Sequence, residues 1–405
     1  MRLLKVLVRV GLAGLVAIVA WILAWQWLVV GRLEAPADDV WVVANFSDRP
    51  HNAGEADKAA IAGYGEIRIH RDARPHEAPR NVRDWAPATR PNGLDFLMIS
   101  GGGSGGAFSV GVLSAWSAAK TRPSFDVVTG VSTGALIAPF AFLGSAYDDT
   151  LVHLFTSGIA EDLVATRGPV GLFGSSFLGS APMRRMVERF ITAAVQRQVA
   201  AEHRKGRRLF VLTTNLDTQR AVVWNMGAIA NSGQPDALKL FQDVLIASAS
   251  IPGVYPAVMI EAESGGRHFE EMHSDGGSSS QVLMLPHSIL TSANRLVPNE
   301  RQSVNFYVIV NNALMPEFAT TQNKTLSVIA RAYLILLKSQ TQSELTTLYN
   351  YARLTGARFH LAAIDVQVPY SLLDPFNASY MRTLYDLGYA EVIAGNAWKE
   401  HPVFR

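Results

Sequence analysis

Two apolar stretches, each running into a cluster of glycines and then into a helix-compatible segment, constrain this chain more than any other feature. Leu94-Asp95-Phe96-Leu97-Met98-Ile99-Ser100 has the length and apolar content of a buried strand, and it meets Gly101-Gly102-Gly103-Ser104-Gly105-Gly106. From Ala107 to Ala119, Phe108, Val112 and Trp116 recur four apart, which predicts a helix packed by one face. Phe125 to Thr129 predicts a second strand. It leads into Gly130-Val131-Ser132-Thr133-Gly134, and Ala135 to Leu143 reads as a helix with Pro139 as a local irregularity. Strand, loop, helix, strand, turn, helix is the opening of an α/β fold built on a parallel sheet. Further strands are expected at Arg208–Thr214, Ala221–Trp224, Val304–Val310 and Phe359–Ile364. Further helices are expected at Asp236–Ala249, Leu326–Leu337, Ser343–Leu354 and Tyr380–Ala394. No internal repeat or low-complexity block interrupts this pattern.

The composition fits a large buried core. Of 405 residues, 49% are hydrophobic and 17% charged, a balance that argues against disorder. A net charge of +2 supplies no basic face, so nucleic acid is not an expected partner. The chain has no cysteine, which excludes disulfides, zinc-thiolate sites, iron–sulfur clusters and cysteine nucleophiles, and leaves the redox compartment open. Nothing in the sequence calls for a cofactor.

The N-terminal segment carries its own message. Arg2, Lys5 and Arg9 precede a run from Val10 to Gly31 whose only polar side chain is Gln26. Those 22 residues make about 33 Å of helix, enough to cross a bilayer core. Trp21, Trp25 and Trp27 crowd its C-terminal half, as indoles do at an interface. The run is longer than the apolar region of a cleaved signal peptide, so a membrane anchor over residues 1–32 is expected, with cleavage near Ala35-Pro36-Ala37 and secretion as the alternative. With the basic residues before the span, and Glu34, Asp38 and Asp39 after it, the N-terminus is expected in the cytoplasm and the rest on the outer side. Residues 33–92 read as a connector. Within it Arg71 to Pro91 is rich in proline, arginine and histidine and lacks an apolar period, as an extended arm or solvated loop would. Residues 93–405 then form the expected catalytic domain.

Gly130-Val131-Ser132-Thr133-Gly134 has the G-x-S-x-G pattern of a nucleophile elbow. A tight strand-to-helix turn holds such a serine in a strained backbone conformation, and side chains at the two glycine positions would strike the neighbouring strand and helix. The glycine loop has two readings. Gly101, Gly103 and Gly106 satisfy G-x-G-x-x-G, the dinucleotide fingerprint. A dinucleotide site wants an acidic residue at the end of the next strand, and that strand ends in Thr129-Gly130 instead. The other reading is an oxyanion hole. Glycines let backbone N–H groups, those of Gly102 and Gly103 first, turn toward the oxygen of a tetrahedral intermediate at a helix N-terminus. The elbow on the adjacent strand favours this second use. Ser274-Asp275-Gly276-Gly277 alone is a turn; beside a serine elbow, Asp275 becomes a candidate base.

These motifs, in this order, resemble the patatin-like phospholipase family: the glycine loop Gly101–Gly106, the elbow Gly130–Gly134 and Asp275-Gly276-Gly277. The resemblance spans roughly Leu94 to Leu285. Thr213-Thr214-Asn215-Leu216-Asp217 and Ala247-Ser248-Ala249-Ser250-Ile251-Pro252-Gly253 are similar to stretches of bacterial members. It implies a three-layer α/β/α fold with a mainly parallel central sheet. It also implies a Ser132–Asp275 dyad without histidine, an oxyanion loop over Gly101–Gly106, no metal or other cofactor, and a membrane lipid or lysophospholipid as substrate. One position departs: the family loop often carries Arg or Lys where this chain has Gly105, which bears on headgroup preference.

Two demands follow. An aspartate near its free pKa of about 3.9 is a poor base at neutral pH, so burial must raise it or proton transfer must be concerted with attack. And histidine is a rival, since a Ser–Asp–His triad in α/β-hydrolase order could use His287 or His360, with His268 and His273 close to Asp275 in sequence. Glu261, Glu263, His268, Glu270, Glu271 and His273 fit no zinc spacing and read better as a polar hairpin. Leu326 to Leu337 is strongly apolar and reads as a core helix, with lining of an acyl pocket as the alternative. Asn377-Ala378-Ser379 matches a glycosylation acceptor.

Overall fold

The computed structural model describes residues 41–42, 68–70, 93–164, 176, 178–264, 267–285, 290, 303–316, 318, 320–366, 368 and 376–404. The expected membrane helix, the arm at 71–91, the cleavage site and His287 lie outside them. Among the described residues no helix is long and apolar enough to cross a membrane.

In chain order the elements are strands β1 (Trp41–Val42), β2 (Arg68–His70) and β3 (Gly93–Ile99), helix α1 (Gly106–Ala118), β4 (Val127–Val131), and helices α2 (Thr133–Leu143), α3 (Asp148–Thr156), α4 (Ala181–Phe190) and α5 (Ala193–Arg204). Then come β5 (Arg208–Asn215), β6 (Arg220–Asn225), α6 (Met226–Asn231), α7 (Ala237–Ser248), β7 (Val258–Ser264), β8 (Arg267–Asp275), β9 (Ser303–Val310), α8 (Thr325–Thr355), β10 (Arg358–Ala363) and α9 (Ala378–Ile393). The strands join in one sheet in the order β1-β7-β8-β5-β4-β3-β9-β10, with β6 pairing β5 and β2.

The sheet is mixed, which corrects the expectation of a mainly parallel one. Only the run β5-β4-β3-β9-β10 is parallel; β1, β2, β6, β7 and β8 all pair antiparallel. The physical cause is local. β7 and β8 are joined by a tight hairpin, as are β5 and β6, and short connections force antiparallel pairing. The acidic and histidine-rich segment is this β7–β8 hairpin, with Glu261 opposite Glu270 and Glu263 opposite His268.

Side chains alternate across the sheet as strand geometry requires. On β3, Leu97 and Ile99 enter a core shared with α1, α2, α7 and α9, whereas Leu94, Phe96 and Met98 enter a second core shared with α8 and Val282–Leu285. Helices α1 and α9 approach so closely that a side chain at Gly111 would overlap the Tyr385 carbonyl, and one at Gly388 the Phe108 carbonyl. The two helices expected at 326–337 and 343–354 are one helix of 31 residues, α8. Lys338-Ser339-Gln340-Thr341-Gln342 contains no glycine or proline to break it, so the polar stretch marks a change of surroundings and not a turn. At α9, Asn377 is the N-cap: its side chain accepts from the Tyr380 N–H at 3.0 Å.

Candidate active site

Register on β5 brings the two halves of the site together. β4 runs parallel to β5 as far as Val131, which lies opposite Leu212. There β4 ends, and β8 takes over antiparallel along the next stretch of β5, Thr213 to Asn215, with Asp275 opposite Thr213. Ser132 and Asp275 thus meet across the step from Leu212 to Thr213. The Ser132 hydroxyl donates to Asp275 Oδ2 at 2.6 Å, between residues 143 apart in sequence.

Ser132 has φ 54° and ψ −123°, a left-handed conformation that side chains rarely adopt. What enforces it is packing. A side chain at Gly130 would overlap the Gly134 carbonyl, and one at Gly134 would overlap the Ile99 carbonyl on β3. The Ser132 N–H donates to Ser248 Oγ at 3.0 Å, and that hydroxyl donates in turn to the Leu212 carbonyl at 2.6 Å. Ser248 therefore ties the elbow to β5. Two residues on, the Ser250 carbonyl accepts the Asp275 N–H at 2.9 Å. The Ala247–Gly253 stretch, noticed in the sequence only as a similarity, braces both partners.

Asp275 is buried. Its Oδ1 accepts the Gly277 N–H at 2.6 Å, leaving Oδ2 for Ser132. Burial pushes its carboxyl up to about 7, and the hydrogen bonds from Ser132 and Gly277 oppose that rise. Desolvation thus brings this carboxyl closer to neutrality than a free aspartate.

The glycine loop lies beside them, with Gly101, Gly102, Gly103 and Ser104 lining the same cavity as Ser132 and Asp275. Of the loop expected over Gly101–Gly106, some N–H groups are already taken. The Gly101 N–H is spent on the Gln281 carbonyl at 3.1 Å, and the Gly105 N–H on the Gly102 carbonyl at 2.9 Å. The Gly106 N–H points back at the Gly103 and Ser104 carbonyls. Among the described residues no acceptor takes the N–H of Gly102, Gly103 or Ser104. The Gly101 carbonyl accepts from Ser100 Oγ at 2.6 Å and from Asn312 Nδ2 at 3.3 Å. Because C=O and N–H of a trans peptide point oppositely, those two bonds aim the Gly102 N–H the other way. The loop rests on Asn311, whose side chain accepts from Ser109 Oγ and donates to the Ser100 carbonyl. A side chain at Gly105 would overlap the Asn311 carbonyl. Arg or Lys therefore has no room at that position.

The cavity has a volume of ≈ 570 Å³. Around the polar cluster its wall is apolar: Leu178, Ile251 and Val254 on one side, Leu334, Leu337 and Ile364 on others. The α8 segment Leu326–Leu337 is thus not a core helix. Ala330, Tyr333, Leu334 and Leu337 line the cavity while the opposite face of the same segment is exposed.

No histidine lines this cavity among the described residues. His360 stacks on Tyr307, with ring centroids 4.6 Å apart. His273 is buried between Glu271 Oε2 at 3.1 Å and Thr213 Oγ1 at 2.9 Å. Several contributors escaped sequence reasoning. Gln281 sits against Gly101 and donates to the Gly277 carbonyl at 2.9 Å; Glu344 on α8 accepts from Ser280 Oγ and from the Gln281 and Val282 N–H groups. Neither residue belongs to a motif. Asn311-Asn312, directly after the apolar β9, carried a faint signal, since paired amides at a strand end next to a glycine loop have few other uses.

Residues 97–286 match the family model described as patatin-like phospholipase, which covers all three motifs. No curated protein sequence matches the chain. Among solved structures it is similar to VipD from Legionella pneumophila, at 9% identity and a TM-score of 0.36 over 75% of this chain and 66% of that one. It is also similar to the type III effector protein ExoU, at 11% identity and a TM-score of 0.29 over 76% of this chain and 54% of that one.

Proposed function

We propose that the chain is a serine acyl-hydrolase of the phospholipase or lysophospholipase type, with Ser132 as nucleophile and Asp275 as its base. The observation that carries this reading is the 2.6 Å hydrogen bond from Ser132 Oγ to a buried carboxylate, inside an apolar cavity beside unpaired loop amides. Ser132 Oγ attacks the ester carbonyl carbon and its proton passes to Asp275 Oδ2. The carbonyl oxygen becomes the oxyanion, held by the N–H groups of Gly102 and Gly103. Collapse breaks the bond to the leaving alkoxide, which takes the proton from Asp275 and departs as alcohol. Water then attacks the acyl-serine as Asp275 takes its proton, and collapse breaks the acyl–Oγ bond, releasing the fatty acid and returning the proton from Asp275 to Ser132 Oγ.

The full-length protein tests this directly. A fluorophosphonate should label the parent and not Ser132→Ala, and fatty acid should be released from a lysophospholipid by the parent and not by Asp275→Asn. An unlabelled parent that releases no fatty acid would end the proposal. His360→Ala should keep its activity; loss with the fold intact would favour a histidine triad.

The sequence of residues 10–31 supports a further part of the reading, in which the enzyme is anchored by its N-terminus with the catalytic part on the outer side of the membrane. A C-terminal reporter active only in the cytoplasm would reverse that orientation.

A further inference from the structure

Helix α8 is apolar on two faces over its first half and on one face over its second. In the second half Leu345, Leu348 and Ala352 are buried on the sheet, and the outward positions Ser343, Thr346, Thr347, Asn350 and Arg353 are polar, with Leu354 alone departing from this near the C-terminus. That is the pattern of a helix lying between a core and water. In the first half the inward face lines the cavity, yet the outward face is Val328, Ile329, Ala332, Ile335 and Leu336. Ile335 is 59% exposed and Leu336 66%. A helix apolar on two faces needs cover on both, and water is poor cover for the outward one.

Three further observations say what the cover is. Lys324, Arg331 and Lys338 are spaced by sevens, so they fall in one row along the edge of the apolar face. No acidic residue occurs from Phe318 to Ser343, so the segment is net positive, although Lys338 Nζ also donates to the Met315 carbonyl. And Leu334 lines the cavity while 42% exposed and flanks the cation row on its other side, so that row stands between the outward apolar face and the cavity mouth. An apolar stripe bordered by cations is how an interfacial helix lies in a headgroup layer.

We infer that the first half of α8, through Val328, Ile329, Ile335 and Leu336, docks on an anionic phospholipid surface and sets the cavity mouth against the bilayer. The inference rests on the acyl-hydrolase reading for the substrate it delivers, but the docking itself does not require turnover. An acyl chain drawn from the bilayer passes the cation row and Leu334 into the cavity.

The absence of cysteine makes the test clean. Ile335→Cys and, on the polar half, Thr347→Cys are each placed in full-length Ser132→Ala protein and labelled with a polarity-sensitive fluorophore. Both are reconstituted in phosphatidylcholine vesicles with and without phosphatidylglycerol. The probe at 335 should be blue-shifted and quenched by doxyl-labelled lipid, more strongly with phosphatidylglycerol, and the probe at 347 should be neither. A water-like probe at 335 overturns the inference. So does one that is blue-shifted but unquenched, which would mean cover by another part of the chain or a second copy.

A second variant reads function. Ile335→Asp with Leu336→Asp should lower hydrolysis of vesicle phospholipid roughly a hundredfold while leaving hydrolysis of a soluble short-chain ester unchanged. An equal fall on both substrates overturns the docking role. A parent inactive on both sinks the acyl-hydrolase reading instead, and the lipid quenching still decides the docking.

Discussion

Ser132 and Asp275 are hydrogen-bonded at 2.6 Å because β5 changes partner between Leu212 and Thr213, from the end of β4 to the end of β8. The contact depends on strand register. Its electrostatic consequence is a buried carboxyl pushed up to about 7. The base must be ionised to take a proton, so kcat/KM should rise with pH and level off above about 7. A pH–rate profile checks this, and Asp275→Asn should lower kcat roughly a hundred- to ten-thousandfold on the plateau above about 7, with a smaller deficit as pH falls and the parent's carboxyl protonates. Stability has the opposite sign. The folded pKa lies above the unfolded one, so the native state holds the extra proton, and stability declines as pH rises through that interval up to about 7. Denaturation of Asp275→Asn across the same range should lack this decline.

Ser248 joins the Ser132 N–H to the Leu212 carbonyl through one buried hydroxyl. Ser248→Ala leaves a buried donor and a buried acceptor without their partner, a loss of about 1–3 kcal/mol. Urea denaturation should show it. Because the elbow loses its tether to β5 while the cavity wall is untouched, kcat should fall with KM nearly unchanged on a soluble ester.

The glycine loop should respond by position. Gly103 has φ 55° with open space around a would-be side chain, so Gly103→Ala meets only the left-handed strain of about 1–2 kcal/mol. Gly105 has ordinary helical φ but lies against the Asn311 carbonyl. Gly105→Ala should displace the loop and abolish hydrolysis, and Gly105→Arg should do so without gaining any headgroup contact. Ester turnover and thermal melting of the three variants separate strain from collision.

How much of this could be read in advance follows from the range over which each feature is determined. The strands at β3, β4, β5 and β9 and the elbow were legible because their residues specify them locally: apolar runs, then glycines. Pairing Ser132 with Asp275 came from motif order and resemblance, since nothing local in either segment names the other. Of the antiparallel half, β6 and the polar hairpin of β7 and β8 were legible as elements, but the docking of β8 on β5 was not, because the charges on β7 and β8 blur their alternation. Leu326–Leu337 misled for a related reason. An apolar stretch signals burial, and whether the burying partner is a sheet or a cavity depends on elements far away in sequence. Gln281 and Glu344 were invisible, and Asn311 and Asn312 nearly so, because each acts on backbone groups brought close only by the fold.

Glu344 makes the last of these points testable. It stands on α8 and its two oxygens hold Ser280 Oγ at 2.6 Å, the Gln281 N–H at 3.1 Å and the Val282 N–H at 2.9 Å. Gln281 in turn accepts the Gly101 N–H through its carbonyl and holds the Gly277 carbonyl through its amide. One carboxylate therefore fixes the segment that joins the glycine loop to the turn after Asp275. Glu344→Gln can keep the two N–H groups only by turning its amide toward Ser280 Oγ, whose hydroxyl must then donate to the Val282 carbonyl instead, and the loss of the charge-assisted bonds costs about 1–3 kcal/mol. The expected result is a lower midpoint in urea together with a fall in kcat on a soluble ester, since both Gly101 and Gly277 lose their brace. Glu344→Asp keeps the charge but shortens the reach, and should recover part of the stability and less of the rate. If Glu344→Gln loses stability but keeps full kcat, the segment is merely structural and the loop geometry is set by Asn311 and Asn312 alone.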